Sequence, residues 1–157
     1  MARKGVAPSF EDFALGDVHR DELAQALPEW VKARQGWIYV ASNDSWPGIY
    51  KIGCTRRGIP QRMQALSGTS VLTPWVPTAS WAVYDAYGLE AAAHATCGPW
   101  HQRAELFSGP GQHLAALIRT SLIADKQQLL LHLAPVLLPG ELHRLLHIEQ
   151  VQRPPRN

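Results

Sequence analysis

The pattern of hydrophobic and polar positions divides the chain into helical and strand-like segments. Near the N-terminus the run DVHRDELAQALPEWVKAR places apolar side chains at helical spacing, which predicts a helix with one apolar stripe. The residues of this stripe are Leu23, Leu27, Trp30 and Val31. Pro28 interrupts the run, so we expect a kink or a break in the helix there. A shorter helix is predicted from Ser9, which precedes Asp12 in a capping arrangement.

The period of the pattern changes after Gly36. The runs WIYVAS (37–42) and GIYKIG (48–53) are rich in β-branched and aromatic residues, and the turn-forming sequence NDSWP separates them. These runs predict two adjacent antiparallel strands joined by a loop. A third strand is expected over residues 80–86, where the sequence reads SWAVYDA.

Helical spacing returns on both sides of the predicted third strand. The predicted helices cover residues 58–68, 87–97 and 112–133, and a further short helix follows Pro139. A loop is expected over residues 98–109, because Gly and Pro punctuate that stretch.

This order of elements predicts an α+β fold with a small three-stranded, mainly antiparallel sheet that is flanked by helices. The predicted strands all fall in the middle of the chain. We therefore expect an N-terminal helical extension over residues 1–35, a core over residues 36–110, and C-terminal helices over residues 111–157 that pack on the core.

Composition and charge narrow the function classes only slightly. The chain has 15 Lys and Arg against 13 Asp and Glu, which gives a formal charge of +2. This surplus neither requires nor excludes nucleic acid, so phosphate binding would depend on a local arrangement of charge. Two cysteines are too few for a disulfide framework. No apolar run suits a signal peptide or a membrane span, so we expect a soluble cytoplasmic protein with no membrane partner.

One short segment carries a motif with chemical meaning. Residues 46–55 read WPGIYKIGCT, in which the triplets GIY and KIG stand side by side. Two such triplets lie on neighbouring strands in the GIY-YIG endonuclease superfamily, so adjacent triplets on one strand cannot form the pair. Residues 37–39 (WIY) are the better match to GIY, and residues 51–53 (KIG) match YIG. With Tyr39 and Lys51 at the two key positions, the chain resembles the branch of this superfamily that carries KIG-x-T.

Further positions of the resemblance follow in order along the chain. They are Arg62 on the helix after KIG, Glu90 and His94 on the next helix, and Arg103, Glu105 and Phe107 in a closing R…E-x-F element. The resemblance covers residues 36–110 and implies a GIY-YIG-like nuclease core there. The literal GIY at residues 48–50 is then a coincidence. Tyr50 alternates with Lys51 along the strand, so we expect Tyr50 to pack on the opposite face of the sheet.

The resemblance implies an endonuclease that hydrolyses phosphodiester bonds of single- or double-stranded DNA with the help of one divalent metal ion. Glu90 would hold this Mg²⁺ or Mn²⁺ ion, since both prefer oxygen ligands. Arg62 would bind the scissile phosphate and stabilise its transition state. Tyr39 or Lys51 would activate water: either Lys51 favours the phenolate of Tyr39, or Lys51 itself accepts the proton.

Other matched residues have supporting roles in this hypothesis. His94 would orient a ligand or protonate the leaving group, unless it is a structural histidine. Glu105 would support the metal site, unless it simply pairs with Arg103. The expected substrate-binding residues are Thr55, Arg56 and Arg57.

Three other readings of the sequence stay open. The same fold could bind DNA or a protein without cutting. A zinc site could form from Cys54, His94, Cys97 and His101, although their spacing matches no strong zinc pattern. The leucine-rich stretch over residues 129–146 could present an apolar surface for a homodimer.

Overall fold

The computed structural model of the chain describes residues 20–133. In chain order the helices and strands are α1 (Arg20–Arg34), β1 (Gly36–Asn43), β2 (Ile49–Thr55), α2 (Ile59–Leu66), β3 (Trp75–Val83), α3 (Ala86–Thr96), β4 (His101–Arg103), β5 (Leu106–Ser108) and α4 (Gly111–Leu133). The predicted helices at Ser9 and after Pro139 lie outside the described residues, as does most of the leucine-rich stretch. None of the four described helices has the length and apolar character that a membrane crossing needs.

The five described strands form one antiparallel sheet in the order β3-β1-β2-β5-β4. The predicted α+β class and the antiparallel pairing of the first two strands are confirmed. The sheet has five strands rather than three, because β4 and β5 lie in the segment that was expected to be a loop. Each has only three residues, too few to show a period of two, and they are stabilised by pairing next to β2.

The third strand begins at Trp75, five residues before its predicted start at residue 80. It contains Pro77, which lies before the predicted start of the strand. β3 lies at an edge of the sheet, where a residue without a backbone N–H is tolerated. The ladder between β1 and β3 also shifts register between Val40 and Ala41, opposite this part of β3.

Helix α1 continues through Pro28, so the alternative of a break in the helix at this residue is wrong. Pro28 itself is exposed, whereas Leu27, Trp30 and Val31 are buried in the core. Most helical stability in proteins comes from such packing rather than from intrinsic propensity. Burial on both sides of Pro28 therefore holds the helix together despite the backbone hydrogen bond that the proline removes.

The sheet has two covered faces. The larger core lies on the face covered by α1, α3 and α4, and it includes Ile38, Val40, Ile52, Trp81, Leu89, Phe107, Leu114 and Ile118. The smaller core lies under α2 and consists of Tyr39, Ala41, Ile59, Met63 and Trp75.

Alternation along β2 assigns its residues to these two faces. Lys51 is paired with Ala41, which belongs to the smaller core, so the Lys51 side chain lies on the α2 side. Tyr50 is half-buried against the larger core, as expected. A Cβ atom on Gly111 would lie only 2.5 Å from Cε1 of Tyr50, so the start of α4 packs directly on this ring.

Candidate active site

Tyr39 occupies the centre of the sheet and has no exposed surface. Gly53 lies opposite it on β2, and a Cβ atom at Gly53 would lie 2.5 Å from the Tyr39 hydroxyl oxygen. The phenol therefore lies directly across the glycine of the KIG triplet, and any larger residue there would displace it. A glycine inside a strand often marks such a close approach, which was the available sequence signal for this contact.

Arg62 is the cation that contacts Tyr39. Its Nε donates a hydrogen bond to the Tyr39 hydroxyl oxygen at 3.1 Å, and its Cζ lies 6.0 Å from the centroid of the phenol ring. Helix α2 positions Arg62 because Ile59 and Met63 of the same helix are buried beside Tyr39. Within residues 20–133, the two terminal guanidinium nitrogens of Arg62 make no hydrogen bond. They are available to a phosphate, whose oxygens suit this fork.

The protonation state of Tyr39 follows from its burial. Burial raises the pKa of the phenol above its ordinary value, and the hydrogen bond from Arg62 lowers that pKa only in part. Tyr39 is therefore a neutral phenol at neutral pH. Its oxygen accepts a hydrogen bond from Arg62, and its own proton is left to donate.

Lys51 makes an ion pair with Glu105 rather than contacting the phenol. The Lys51 Nζ atom lies 2.6 Å from Oε2 of Glu105, which is a buried oxygen. The turn between β4 and β5 presents Glu105, and Ala104 adopts a left-handed conformation there with φ of 49°. The Glu105 carbonyl also accepts a hydrogen bond from Ile52 N at 3.0 Å, so β2 fixes this residue's backbone. Arg103, the alternative partner for Glu105, is exposed.

Glu90 and His94 cover a free edge of β2. The pairing between β2 and β5 ends at Lys51, so the outward backbone groups beyond that residue need other partners. Oε1 of Glu90 accepts a hydrogen bond from Cys54 N at 2.9 Å, and Nε2 of His94 lies 2.8 Å from Ile52 O. Because a carbonyl only accepts, this nitrogen of His94 carries the proton. The two side chains replace a missing neighbouring strand.

At this edge, charged residues from both sides of the sheet shift the pKa of the same groups. The carboxylates of Glu90 and Glu105 both act to raise the pKa of Tyr39, after the larger effect of burial. Burial, with the charge of Glu90 next in importance, raises the pKa of the Cys54 thiol to about 12. Arg62, Glu90 and Glu105 are therefore all close enough to interact electrostatically with Tyr39, although α2 and α3 lie on opposite faces of the sheet.

The donor set at this edge fits a metal ion that keeps most of its water ligands. Among residues 20–133, no three His, Cys, Asp or Glu side chains are grouped so that they could hold a metal together. A single carboxylate suits Mg²⁺ or Mn²⁺, which often bind proteins through one or two carboxylates. Zinc requires more protein ligands, and Cys97 is fully buried while His101 contacts Ala104 O, so the zinc reading is wrong.

The three residues expected to bind substrate have different surroundings. Nη2 of Arg56 donates to Lys32 O at 3.2 Å and so helps to end helix α1. The Thr55 hydroxyl is buried and accepts a hydrogen bond from Arg57 N at 3.0 Å, which shapes the turn after β2. The Arg57 side chain is exposed. Arg57 and Arg56 are both exposed, and Arg56 keeps its other guanidinium N–H groups, so both can reach a phosphate, whereas Thr55 is buried.

Comparison with known proteins gives one result. The sequence model of the T5orf172 domain matches residues 36–120, more than half of the chain. That domain is of the GIY-YIG-like, homing-endonuclease type. No curated protein and no solved structure matches the chain significantly. All the site residues described above lie inside the matched segment.

Proposed function

Because this chain belongs to the T5orf172 domain family, we propose that it is a divalent-metal-dependent endonuclease that hydrolyses DNA phosphodiester bonds. The observation that carries the proposal is the hydrogen bond from Arg62 to the buried hydroxyl of Tyr39. This hydrogen bond holds a cation suited to phosphate beside a fixed hydroxyl group. Glu90 lies close enough for its charge to raise the pKa of the same phenol. Phosphodiester hydrolysis needs these three elements: charge neutralisation, an oriented nucleophile and a metal ligand.

In this mechanism Arg62 binds a non-bridging phosphoryl oxygen through its terminal nitrogens. The hydrogen bond to Tyr39 fixes the orientation of the guanidinium, so little side-chain entropy is lost when phosphate binds. The same cation stabilises the charge that develops on the pentavalent phosphorus. Removing one preorganised donor of this kind reduces turnover by about 100- to 1,000-fold.

Tyr39 orients the attacking water in this proposal. A phenol whose pKa is raised by burial is a poor general base. Since Tyr39 has no exposed surface, its proton can donate to a water oxygen only when substrate binding admits that water beside Arg62. Lys51 lies on the same face of the sheet and adds positive charge beside its partner Glu105. Together Tyr39 and Lys51 form the group that activates the water.

Glu90 is the proposed ligand of one Mg²⁺ or Mn²⁺ ion. When bound, this ion supplies Lewis-acid polarisation of the phosphate and of water. The hydrogen bond from Cys54 N to Oε1 fixes the carboxylate and leaves Oε2 for the ion. We assign His94 to positioning, since its Nε2 proton is used by Ile52 O and cannot serve the leaving group.

A second function is favoured by one observation. One oxygen of Glu90 and one oxygen of Glu105 are already engaged inside the protein, by Cys54 N and by Lys51. A domain that binds DNA or a protein without cutting would use these carboxylates only to hold the β2 edge. Arg62 would then bind a backbone phosphate without turnover.

Plasmid nicking with paired variants distinguishes these functions. We expect the Arg62→Ala variant to lose about 100-fold or more of the metal-dependent nicking rate. Arg119→Ala removes an exposed arginine of α4 and serves as the matched control, with an expected change of less than about twofold. DNA binding without cleavage by the unmodified protein would support the binding module instead. Cleavage that persists in Arg62→Ala would exclude our assignment of this residue.

A further inference from the structure

A separate pocket lies at the far end of the sheet from the free edge of β2. Its volume is about 210 Å³, and the lining residues are Asn43, Ser45, Trp46, Ser70, Val71 and Leu72. Asn43 follows Tyr39 by four residues on β1, so the pocket lies roughly 13 Å along the strand at ~3.3 Å per residue. The neighbouring Trp75 belongs to the smaller core together with Tyr39. Asn43 and Tyr39 alternate onto the same face of β1, so the pocket lies on the α2 side of the sheet.

Trp46 gives this pocket an open aromatic surface. Its side chain is 47% exposed, although its ring contacts the buried Trp75 at a centroid distance of 5.8 Å and an angle of 77°. The backbone is fixed as well, since Trp46 N donates to Asn43 O at 2.9 Å and Ile49 N donates to Trp46 O at 3.1 Å. The indole is therefore held in place while part of it faces solvent. Leu72 adds a second apolar wall that is 96% exposed.

The polar side chain at the base of the pocket is already in use. Nδ2 of Asn43 donates to Thr73 O at 2.7 Å, and its Oδ1 accepts from Ser45 N at 2.9 Å and from the Thr73 hydroxyl. This network ties the β1–β2 turn to the loop before β3. Asn43 has little capacity left to read the edge of a ligand. Asn43 therefore contributes little to ligand recognition, and the exposed face of Trp46 offers stacking as the main contact of the pocket.

We propose that the Trp46 pocket binds an unpaired nucleobase of the DNA strand that is cut, with the base stacked on the indole. This inference rests on the proposed nuclease function, since the active site supplies the strand. The 13 Å separation corresponds to roughly four nucleotides of stacked strand at ~3.4 Å each, and to fewer in an extended strand. A paired base cannot reach the indole, so the pocket selects DNA with a single-stranded segment beside the scissile phosphate. Stacking accepts any base, so this selection is for structure and not for sequence.

The test measures binding separately from cleavage. A fluorescein-labelled single strand of about 16 nucleotides is titrated with the full chain in EDTA, and fluorescence anisotropy gives the Kd. We expect Trp46→Ala to weaken binding by about 5- to 100-fold and Trp46→Phe to restore most of it. Tyr87→Ala is the control, because Tyr87 is 57% exposed on α3, away from the pocket. Circular dichroism confirms that each variant is folded.

A series of strands with one abasic position each then locates the base. One abasic position should weaken binding to the unmodified protein and have no further effect on Trp46→Ala, because both changes remove the same contact. Equal binding by Trp46→Ala and the unmodified protein, while Arg62-dependent cleavage persists, would overturn the pocket proposal alone. Trp46-dependent binding without any cleavage would overturn the nuclease proposal alone. The pocket proposal would also be overturned if the unmodified protein did not bind the single strand, or if Trp46→Ala changed only the association of the chain with copies of itself.

Discussion

The two tyrosines of the WIYV and GIYK runs provide the sharpest test of the site. Tyr39→Phe removes a buried hydroxyl that accepts a hydrogen bond from Arg62 Nε at 3.1 Å. Tyr50→Phe removes a hydroxyl that makes no hydrogen bond to any residue between 20 and 133, and it serves as a matched control. Each substitution removes only a tyrosine hydroxyl oxygen, and the two hydroxyl groups lie on opposite faces of the sheet.

The expected magnitude for Tyr39→Phe follows from the contact that is lost. A hydrogen bond to a charged group contributes about 1.5–3 kcal/mol, so a misplaced Arg62 alone would slow cleavage by about 10- to 150-fold. Loss of the group that orients the water adds to this effect. We expect a total loss of at least about 100-fold in the cleavage rate. Tyr50→Phe should change the rate by less than about twofold, since its ring and packing are retained.

The assay is the first-order rate of nicking of a supercoiled plasmid with Mg²⁺ or Mn²⁺ at saturating protein. Anisotropy titrations in EDTA report DNA binding, and thermal unfolding monitored by circular dichroism reports stability. A fall in rate with binding and stability retained supports the assigned role. Equal losses in Tyr39→Phe and Tyr50→Phe, or near-normal nicking by Tyr39→Phe, would exclude the proposed role of Tyr39 in cleavage.

Three further predictions concern stability and reactivity. Gly53→Ala places a Cβ atom 2.5 Å from the Tyr39 hydroxyl oxygen, so overpacking should destabilise the fold by about 1–3 kcal/mol. In the double variant with Tyr39→Phe that oxygen is gone, and part of the lost Tm should return. Asp85→Ala removes both the cap of α3 and an ion pair to α1, so the free energy of unfolding should fall by about 2 kcal/mol and Tm by roughly 4–8 °C. The control Asp44→Ala, at an exposed site, should change Tm little. Burial raises the pKa of the Cys54 thiol to about 12, so its alkylation by iodoacetamide at about pH 8 should be much slower in the folded protein than in urea. Above about pH 9 the Cys54 thiol ionises in the unfolded chain but stays protonated in the folded protein, so the unmodified protein loses stability as the pH rises. Cys54→Ala lacks this thiol and should lose less stability over the same range. An equal loss would contradict this assignment.

Hydrophobic periodicity predicted much of the fold because several elements are long and regular. The β1–β2 pair, α2, α3 and α4 were all expected close to their observed positions. The assignment of Lys51 and Tyr50 to opposite faces followed from alternation alone. The short strands β4 and β5 could not be predicted in this way, because three residues carry no measurable period.

The sequence supplied candidate residues for the site but not the contacts among them. Arg62 and Tyr39 are 23 positions apart in the chain, and their contact depends on how α2 lies across the sheet. The anchoring of Glu90 by Cys54 N involves a backbone donor, which leaves no signal in the amino-acid sequence. The pairing of Lys51 with Glu105 depends on the turn at Ala104, for which residue patterns gave no indication.

A metal titration of DNA cleavage by the unmodified protein and by Glu90→Gln tests most directly whether Glu90 holds a catalytic metal ion. The amide keeps an oxygen that can accept the hydrogen bond from Cys54 N, so the β2 edge is preserved while the negative charge is removed. Glu29→Gln, at an exposed position of α1, is the control. We expect Mg²⁺- or Mn²⁺-dependent cleavage that EDTA abolishes and that falls by at least about 100-fold in Glu90→Gln alone. Failure of the unmodified protein to cut single-stranded, duplex and branched DNA at any metal concentration, or undiminished cleavage by Glu90→Gln, would contradict the proposed metal-dependent nuclease function.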